Sequence, residues 1–324
     1  MENTQITNGE YDYLESQFRK IEGIGKAGAG KIISLVNQFE EVENITEDDI
    51  INNIKRSSGN PYFKKEHRKQ IINIINNIDF SKDITTLVVE EIIADFIRKT
   101  FEKIMELELD ILDINPFLVR ALKFDEAEEV ILFYLYQRIT RSIVTSWGMT
   151  VENIALATGA TKVPQKENVV DNGKKFDVKK IKDGKKYYIQ IKTGPNTMNV
   201  GMVESLNTMI RKVEERDENS VGLLGMTFGT QKQLSSQISG NLTKVKEHSL
   251  IGSEFWDFIS EKNGFTEELL DIIDDAAKIY QEKAGGKKLS DIIDEKYELL
   301  LNEWEEKYKG KGKDSIKMVE KLNL

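Results

Sequence analysis

The sequence predicts an α/β (α+β) protein with helical additions at both ends. In the middle of the chain, short apolar segments and helical patterns follow the order helix, strand, strand, strand, helix, strand. The dipeptide Asp183-Gly184, which separates two of these strands, is a strong hairpin signal. Long stretches with apolar residues at helical spacing precede and follow this middle part.

The first part of the chain is predicted to be helical throughout. Residues 10–80 carry apolar side chains at helical spacing, and a polar Ser/Gly/Asn/Pro segment at 56–61 interrupts them. Residues 84–108 predict one further amphipathic helix. We therefore expect an all-helical N-terminal domain over residues 1–108 and a second domain over residues 109–324.

The second domain is expected to hold the sheet, with a core at about 126–230 and a helical C-terminal extension. The predicted elements are a long helix at 126–158, then strands at 168–170, 175–178 and 186–192. A helix at 199–214, a strand at 221–228 and a mostly helical end at 232–324 follow.

Side-chain alternation predicts a polar face on the hairpin. In the third strand Gln190 and Lys192 face away from the two isoleucines between which they alternate. In the second strand, Asp177 is expected to face away from both Phe176 and Val178. Pairing of the two strands would then bring together a carboxylate, an amide oxygen and an ammonium group.

Composition excludes several classes of protein. With no Cys there is no disulfide framework, no Cys nucleophile and no cysteine zinc site. Two histidines, His67 and His248, provide little for a His-rich metal site or a His-based nuclease. The first residues lack a basic and apolar leader, and no segment is continuously apolar over the roughly 20 residues of a membrane span. We expect a cytoplasmic protein without a membrane segment.

Charge is unevenly distributed along this acidic chain of net charge −9. Residues 161–195 carry ten Lys against four acids, whereas residues 251–324 carry twelve Lys against eighteen acids. The local field around a basic segment can attract a polyanion although the total charge is negative.

The predicted polar face has the donors of a phosphodiesterase. Carboxylate and amide oxygens suit Mg²⁺, which takes few protein ligands and keeps waters and substrate phosphate. Such a metal ion polarises the phosphate and activates bound water. A lysine ammonium can orient the water and stabilise the charge that builds on phosphorus.

The motif Asp177, then Gln190-x-Lys192, resembles the PD-(D/E)XK nuclease motif in a D…QXK form. The order of the core elements is similar to that superfamily. The run 189–199, with Gly-Pro-Asn-Thr after the strand, resembles type II restriction endonucleases, as do 115–122 and the helix around Trp147. The resemblance covers about 110–230 and implies a mixed central sheet flanked by helices.

The resemblance also implies Mg²⁺-dependent cleavage of double-stranded DNA that leaves 5′-phosphates. Asp177 and Gln190 would hold Mg²⁺, and Lys192 would assist the attacking water. Glu152 matches the glutamate of the first core helix that often joins such sites. The chain departs from the motif twice: Phe176 replaces the proline, and Gln190 replaces an acid, which leaves only Asp177 and Glu152 as charged ligands.

The segment after the third strand is the first candidate for DNA contacts. Thr193, Asn196, Thr197 and Asn199 could bind phosphates or base edges. Alternatively, Asn196 or Thr197 caps the following helix, and both roles are compatible. Asp171 is the rival of Asp177 as the first carboxylate, but it adjoins Asn-Gly and is predicted to be a turn residue.

A glycine-rich segment near the N-terminus is the second candidate. It approaches the phosphate-binding pattern GxxxxGK[ST] but fails at Ile32, where the hydroxyl belongs, and no strand precedes it. The segment also resembles a helix-hairpin-helix turn, in which Gly23, Gly25 and Lys26 would approach a DNA phosphate. An ordinary Gly-rich connection between helices remains the alternative.

The sequence therefore predicts a type II restriction endonuclease acting on a short, specific duplex site. A symmetric site implies a homodimer, and a cognate DNA methyltransferase would share that site. Two alternatives stay open. One is a structure-directed or repair nuclease of the same superfamily. The other is a non-catalytic DNA-binding protein on a nuclease core, which Gln190 in place of the acidic residue would indicate.

Overall fold

The computed structural model describes residues 8–39, 42–78, 82–283 and 285–322. It comprises two compact units, the N-terminal unit Met1–Val88 and the C-terminal unit Val89–Leu324. The expected division lay after residue 108, whereas these units divide inside the helix Ile84–Met105. The reason is that most of this helix, including fully buried Ile93, belongs to the core of the C-terminal unit.

The N-terminal unit is helical in its described residues. Its α-helices are α1 (Asn8–Phe18), α2 (Lys26–Val36), α3 (Glu47–Asn53) and α4 (Lys65–Asn77). Isoleucines at helical spacing form its core, among them Ile32, Ile71 and Ile75, which are all buried. A capping box begins α3, since the Asp49 N–H donates to Thr46 Oγ1 over 3.3 Å and the Thr46 N–H donates to Asp49 Oδ2 over 2.8 Å.

Three helices precede the sheet. They are α5 (Ile84–Met105), α6 (Pro116–Leu122) and α7 (Ala127–Ala157). Asn115 begins α6, because its Oδ1 accepts the N–H groups of Phe117 at 2.9 Å and Leu118 at 3.2 Å. Pro116 occupies the first helical position, where its missing N–H costs nothing.

The sheet occupies the middle of the C-terminal unit. Its strands and the helix between the fifth and sixth of them are β1 (Thr161–Lys162), β2 (Val170–Asp171), β3 (Lys174–Lys175), β4 (Val178–Lys182), β5 (Lys185–Lys192), α8 (Val200–Arg216), β6 (Ser220–Met226) and β7 (Ser249–Ile251). The main sheet has the order β1-β4-β5-β6-β7, and β2 pairs with β3 separately. The β1–β4 and β4–β5 pairs are antiparallel, whereas β5–β6 and β6–β7 are parallel.

The predicted hairpin is confirmed, but its first strand begins later than expected. Asp183 and Gly184 both have positive φ, 49° and 76°, as a type I′ turn requires. The prediction that this strand begins at Lys175 was wrong, since β4 begins at Val178. Lys175 pairs instead with Val170 across a second tight turn.

The two faces of the sheet pack against different helices. Ile189 and Ile191 lie in a core with residues of α7, whereas Tyr188 lies in a core with residues of α8. Phe176 was expected on the same face as Val178, and this was wrong. It packs beside Tyr188 with ring centroids 5.9 Å apart, while Val178 lies with Ile189. The chain is irregular immediately before β4, so strict alternation does not extend to Phe176.

The C-terminal extension is mostly helical in its described residues, as predicted, but it also contributes β7, a strand that the sequence analysis did not predict. Its helices are α9 (Ser236–Asn241), α10 (Ser253–Ser260), α11 (Phe265–Lys283), α12 (Leu289–Tyr308) and α13 (Lys313–Leu322). Trp304 and Leu300 of α12 pack with Val130 and Leu135 of α7. The predicted fold class, a mixed central sheet flanked by helices with helical additions, is confirmed. None of the described helices combines the length and the apolar character needed to cross a membrane.

Candidate active site

Asp177 lies immediately before the first residue of β4 and beside β5. Its N–H donates to the Ile189 carbonyl over 2.9 Å, and its Oδ2 accepts the Ile191 N–H over 2.7 Å. The carboxylate therefore takes the place that a backbone carbonyl would occupy if β4 extended toward its N-terminal side. Burial raises the pKa of Asp177 above its ordinary 3.8, against the hydrogen bond from Ile191 and the charges of Lys192 and Lys175.

Gln190 and Lys192 project from β5. The register that pairs Val178 with Ile189 sets Gln190 beside Asp177, and Gln190 is only 3% exposed. Its side-chain amide makes no hydrogen bond with any residue that the structure describes. Lys192 ends the strand, and burial lowers its pKa against the opposing charges of Asp177 and Glu152.

Glu152 reaches the same place from α7. Burial is the main cause that raises its pKa above 4.5, and the charge of Asp177 raises it further. Lys192 and Lys175 act in the opposite direction. These mutual effects indicate that the fold brings together Glu152, Asp177 and Lys192, which the sequence singled out from three separate elements.

The three charged side chains do not neutralise one another by direct contact. Within the described part of the chain, none of Glu152, Asp177 and Lys192 forms an ion pair of 4.0 Å or less. Two partly desolvated carboxylates thus share one place, and the charges of Lys192 and Lys175 offset only part of the unfavourable energy of their ionised forms.

This donor set fits a hard divalent cation. No group of three or more His, Cys, Asp or Glu side chains suited to a metal occurs among the described residues. Two carboxylates and one unbonded amide oxygen are nevertheless sufficient for Mg²⁺, which is commonly held by one or two carboxylates with water and substrate phosphate completing the shell. The raised pKa values of Asp177 and Glu152 are what a site prepared for positive charge would show.

Two further lysines belong to this site and were missed. Lys175 lowers the pKa of both carboxylates, and Lys174 lowers that of Lys192. Both lie on β3, after the turn at Asn172 and Gly173 with φ of 47° and 73°. Asn-Gly between strand-like residues is itself a hairpin signal, which would have revealed this element.

The segment after β5 has a defined conformation. Thr197 Oγ1 donates to the Gly194 carbonyl over 2.6 Å, and the Thr193 carbonyl accepts Thr227 Oγ1 over 3.1 Å. The helix cap expected at Asn196 or Thr197 is wrong, because Asn199 Oδ1 accepts the Met202 N–H over 3.0 Å and begins α8. Asn196 is exposed and makes no hydrogen bond through its side chain to a described residue.

An exposed aromatic ring adjoins this segment and was also missed. Phe228 is 59% exposed and lies directly over Gly194, where an added Cβ would come within 2.4 Å of the ring. Only glycine at position 194 allows this arrangement. An isolated Phe just after a strand carries no sequence signal of its own.

The remaining candidates lie elsewhere. Asp171, the rival of Asp177, is on β2 and its Oδ1 is 3.5 Å from Lys212 Nζ. Gly23, Gly25 and Lys26 belong to the N-terminal unit, where Gly25 precedes the first residue of α2. Lys26 Nζ is 3.7 Å from the Glu15 carboxylate.

Comparison with known proteins finds a family match over the central part of the chain. The model of the family described as "Type II restriction endonuclease EcoO109I" matches residues 82–281, which is more than half of the chain. No match was found among curated proteins. The matched region contains Glu152, Asp177, Gln190 and Lys192, and it ends before α12.

Proposed function

Because this chain belongs to the type II restriction endonuclease EcoO109I family, we propose that it hydrolyses phosphodiester bonds at a specific duplex DNA site. The reaction depends on Mg²⁺ and leaves 5′-phosphates. The observation that carries this proposal is the cluster of Glu152, Asp177 and Lys192. Their burial and mutual charges shift all three pKa values in the directions expected of a metal and proton-transfer site.

The side chains divide the work by their chemistry. Asp177 and Gln190 offer oxygen ligands to the metal ion, and Glu152 adds a second carboxylate. When bound, Mg²⁺ supplies Lewis-acid polarisation of the phosphate and a lower pKa for bound water. The Ile191 N–H fixes the orientation of the Asp177 carboxylate.

Lys192 acts on the attacking water and on the phosphate. Its ammonium stabilises charge that develops on the phosphoryl oxygens. Because burial lowers its pKa, Lys192 is deprotonated more readily than an exposed lysine; its neutral amine takes the proton of the attacking water as the bond to phosphorus forms, and becomes the ammonium that faces the phosphate.

The segment from Thr193 to Asn199 is proposed to contact DNA beside the cleaved bond. It follows directly from Lys192 at the end of β5. The exposed Asn196 amide can both donate and accept hydrogen bonds at base edges, and Thr193 and Thr197 provide hydroxyl groups for phosphates. Asn199 Oδ1 already caps α8, so its proposed contribution is to fix the end of this segment at the start of that helix.

We further propose that two copies act together on a symmetric site in the cytoplasm, where a cognate methyltransferase protects the same sequence. Exposed apolar side chains on α6 and α7, including Phe117 at 72% and Tyr136 at 49%, support a protein partner for this face. Sedimentation equilibrium at micromolar concentration would detect the homodimer.

The decisive experiment is digestion of phage-length duplex DNA with Mg²⁺ or EDTA, using the wild type and Lys192→Ala. Discrete fragments that require Mg²⁺ and disappear in the variant are expected, and end mapping gives the site and the 5′-phosphates. A smear in place of discrete fragments would contradict sequence specificity and favour a structure-directed nuclease. Retarded but uncut DNA would contradict catalysis and favour the binding protein.

A further inference from the structure

The N-terminal unit contains a groove of about 960 Å³ that the proposed catalytic function does not use. One wall is the hairpin between α1 and α2 together with the start of α2, and the other is the loop between α3 and α4. Every residue that lines it lies between 22 and 67. The groove is therefore separate in the chain from residues 82–281, which the family model matches.

The groove is positively charged. Lys31, Lys55, Arg56 and Lys64 line it, against one acid, Glu22. Within the described ranges, no carboxylate lies within 4.0 Å of the charged atoms of any of these four cations. The Lys31 ammonium lies 5.2 Å from the Tyr62 ring centroid, which is a contact that leaves it available to an anion. In a chain of net charge −9, such unneutralised cations on one groove call for a negatively charged ligand.

The hairpin leaves backbone donors and space on the same side. No side chain caps the first turn of α2, and that turn holds no acidic residue. A Cβ added to Gly25 would meet nothing within 4 Å, and Gly25 has φ of −87°. Gly23 has φ of +86°, which glycine adopts without strain. The chain can therefore bring N–H groups close to a ligand phosphate at this point.

The opposite wall is held in place by its own hydrogen bonds. The Arg56 N–H donates to the Asn60 carbonyl over 2.8 Å, and Lys55 and Pro61 form a β-bridge. Phe63, which follows, is 4% exposed and packs against Gly28 of α2. Both walls are thus tied to one core, so their cations are positioned before a ligand arrives.

We propose that this groove binds the sugar–phosphate backbone of duplex DNA without reading its sequence. Its four cations are spread along two walls, and its volume far exceeds that of one phosphate, which favours a polyanion over a single phosphate group. The prediction that Lys26 joins Gly23 and Gly25 is modified, since Lys26 does not line the groove and pairs with Glu15. Lys31, Lys55 and Arg56 take that role.

The test measures binding of the full-length protein to a pool of random-sequence duplexes of about 30 base pairs in EDTA, by fluorescence anisotropy over a range of salt. At 0.1 M salt each phosphate contact contributes about eightfold in affinity, with a slope of about −0.9 per contact in log K against log salt. The double variant Lys55→Ala/Arg56→Ala should therefore bind roughly 60-fold more weakly, with a slope shallower by about two.

Matched variants separate this effect from general charge and from misfolding. Lys65→Ala/Lys69→Ala removes the same charge from α4 without touching the groove lining and should bind like the wild type. Gly25→Ser places a favourable cap at the start of α2, so the melting temperature should stay or rise while DNA affinity falls. Equal losses in both double variants, or wild-type affinity in Lys55→Ala/Arg56→Ala and Gly25→Ser, would overturn the proposal.

This outcome is independent of the cleavage reaction. If the wild type cuts DNA and the groove variants bind normally, the groove proposal fails alone. If the wild type never cuts but the groove variants lose binding as stated, the proposed catalysis fails alone. Tight binding of inorganic phosphate by calorimetry, with an unchanged salt slope for DNA, would identify a single-phosphate site and also overturn the proposal.

Discussion

Replacing Asp177 by asparagine should abolish cleavage and, at the same time, stabilise the metal-free protein. Burial raises the pKa of Asp177, so the ionised carboxylate is less favourable in the folded state than in the unfolded chain. Asparagine removes the charge and can still accept the Ile191 N–H through its Oδ1. In EDTA at neutral pH, the melting temperature of Asp177→Asn should therefore exceed that of the wild type.

The sign of the pH dependence follows from the same shift. A folded-state pKa above the ordinary 3.8 means that the wild type regains stability as the pH falls and Asp177 takes up its proton. The advantage of Asp177→Asn should be largest at neutral pH. The difference in stability should decrease as the pH falls past the raised pKa of Asp177, and it should disappear near and below pH 3.8.

Magnesium should reverse the order of stability. A dication and a carboxylate about 4 Å apart attract by roughly 8 kcal/mol at an effective dielectric of 20, and desolvation offsets much of this. A net loss of about 2.7 kcal/mol already weakens binding about a hundredfold. At ten times the wild-type Kd, the wild type gains about 1.4 kcal/mol, or roughly 3–6 °C for a unit of this size, while the variant gains less than about 0.1 kcal/mol.

The assay is thermal unfolding in EDTA and in a Mg²⁺ titration, beside digestion of duplex DNA. Asp171→Asn is the matched control, since it makes the same chemical change on the neighbouring hairpin and should retain both the Mg²⁺ shift and cleavage. If Asp177→Asn keeps the full Mg²⁺ shift, or melts below the wild type in EDTA at neutral pH, the electrostatic reasoning about this site is refuted.

Three further predictions use the same measurements. Lys192→Met should lose cleavage without loss of metal-free stability, because burial already disfavours the charged lysine; retained cleavage would exclude its proposed role. Gln190→Glu adds a third acid beside two carboxylates, so the melting temperature in EDTA should fall and the Mg²⁺ shift should grow; the reverse pattern would separate Gln190 from the metal site. Gly225→Ala puts a Cβ 2.6 Å from Phe255 Cε2 and should cost about 1–3 kcal/mol in denaturant unfolding; an unchanged midpoint would contradict the tight packing there.

Local signals predicted much of the fold. Asp183-Gly184 forms the expected turn, and the alternation of residues along β5 correctly puts Ile189 and Ile191 together on one face, although the opposite face is buried as well. These features depend on residues adjacent in the chain. The parallel pairing of β5 with β6 depends on packing across α8, which no local pattern specifies.

The errors concentrate beside the candidate site. Strand alternation fails at Phe176 because β4 begins only at Val178 and the Asp177 carboxylate, not a backbone carbonyl, accepts the Ile191 N–H. A side-chain hydrogen bond here replaces a backbone hydrogen bond of the sheet. A sequence pattern that only alternates apolar and polar residues does not predict this replacement. Resemblance to a known motif identified Glu152, but its proximity to Asp177 results from the packing of α7 on the sheet, which a sequence pattern does not determine.

The distribution of lysines shows why local charge counts overstate a DNA-binding surface. Residues 161–195 hold ten lysines, yet Lys179, Lys180 and Lys186 form ion pairs of 3.0 Å or less with Glu167, Glu261 and Asp217. The charges of these three lysines are therefore neutralised by carboxylates of the same chain. Lys174, Lys175 and Lys192 have no such partner among the described residues and act instead on one another and on the two carboxylates. The number of lysines in this segment therefore does not measure a DNA-binding surface, because three of the ten are ion-paired and three others adjoin the candidate active site. Contacts with a longer stretch of duplex are the role that we propose for the groove of the N-terminal unit.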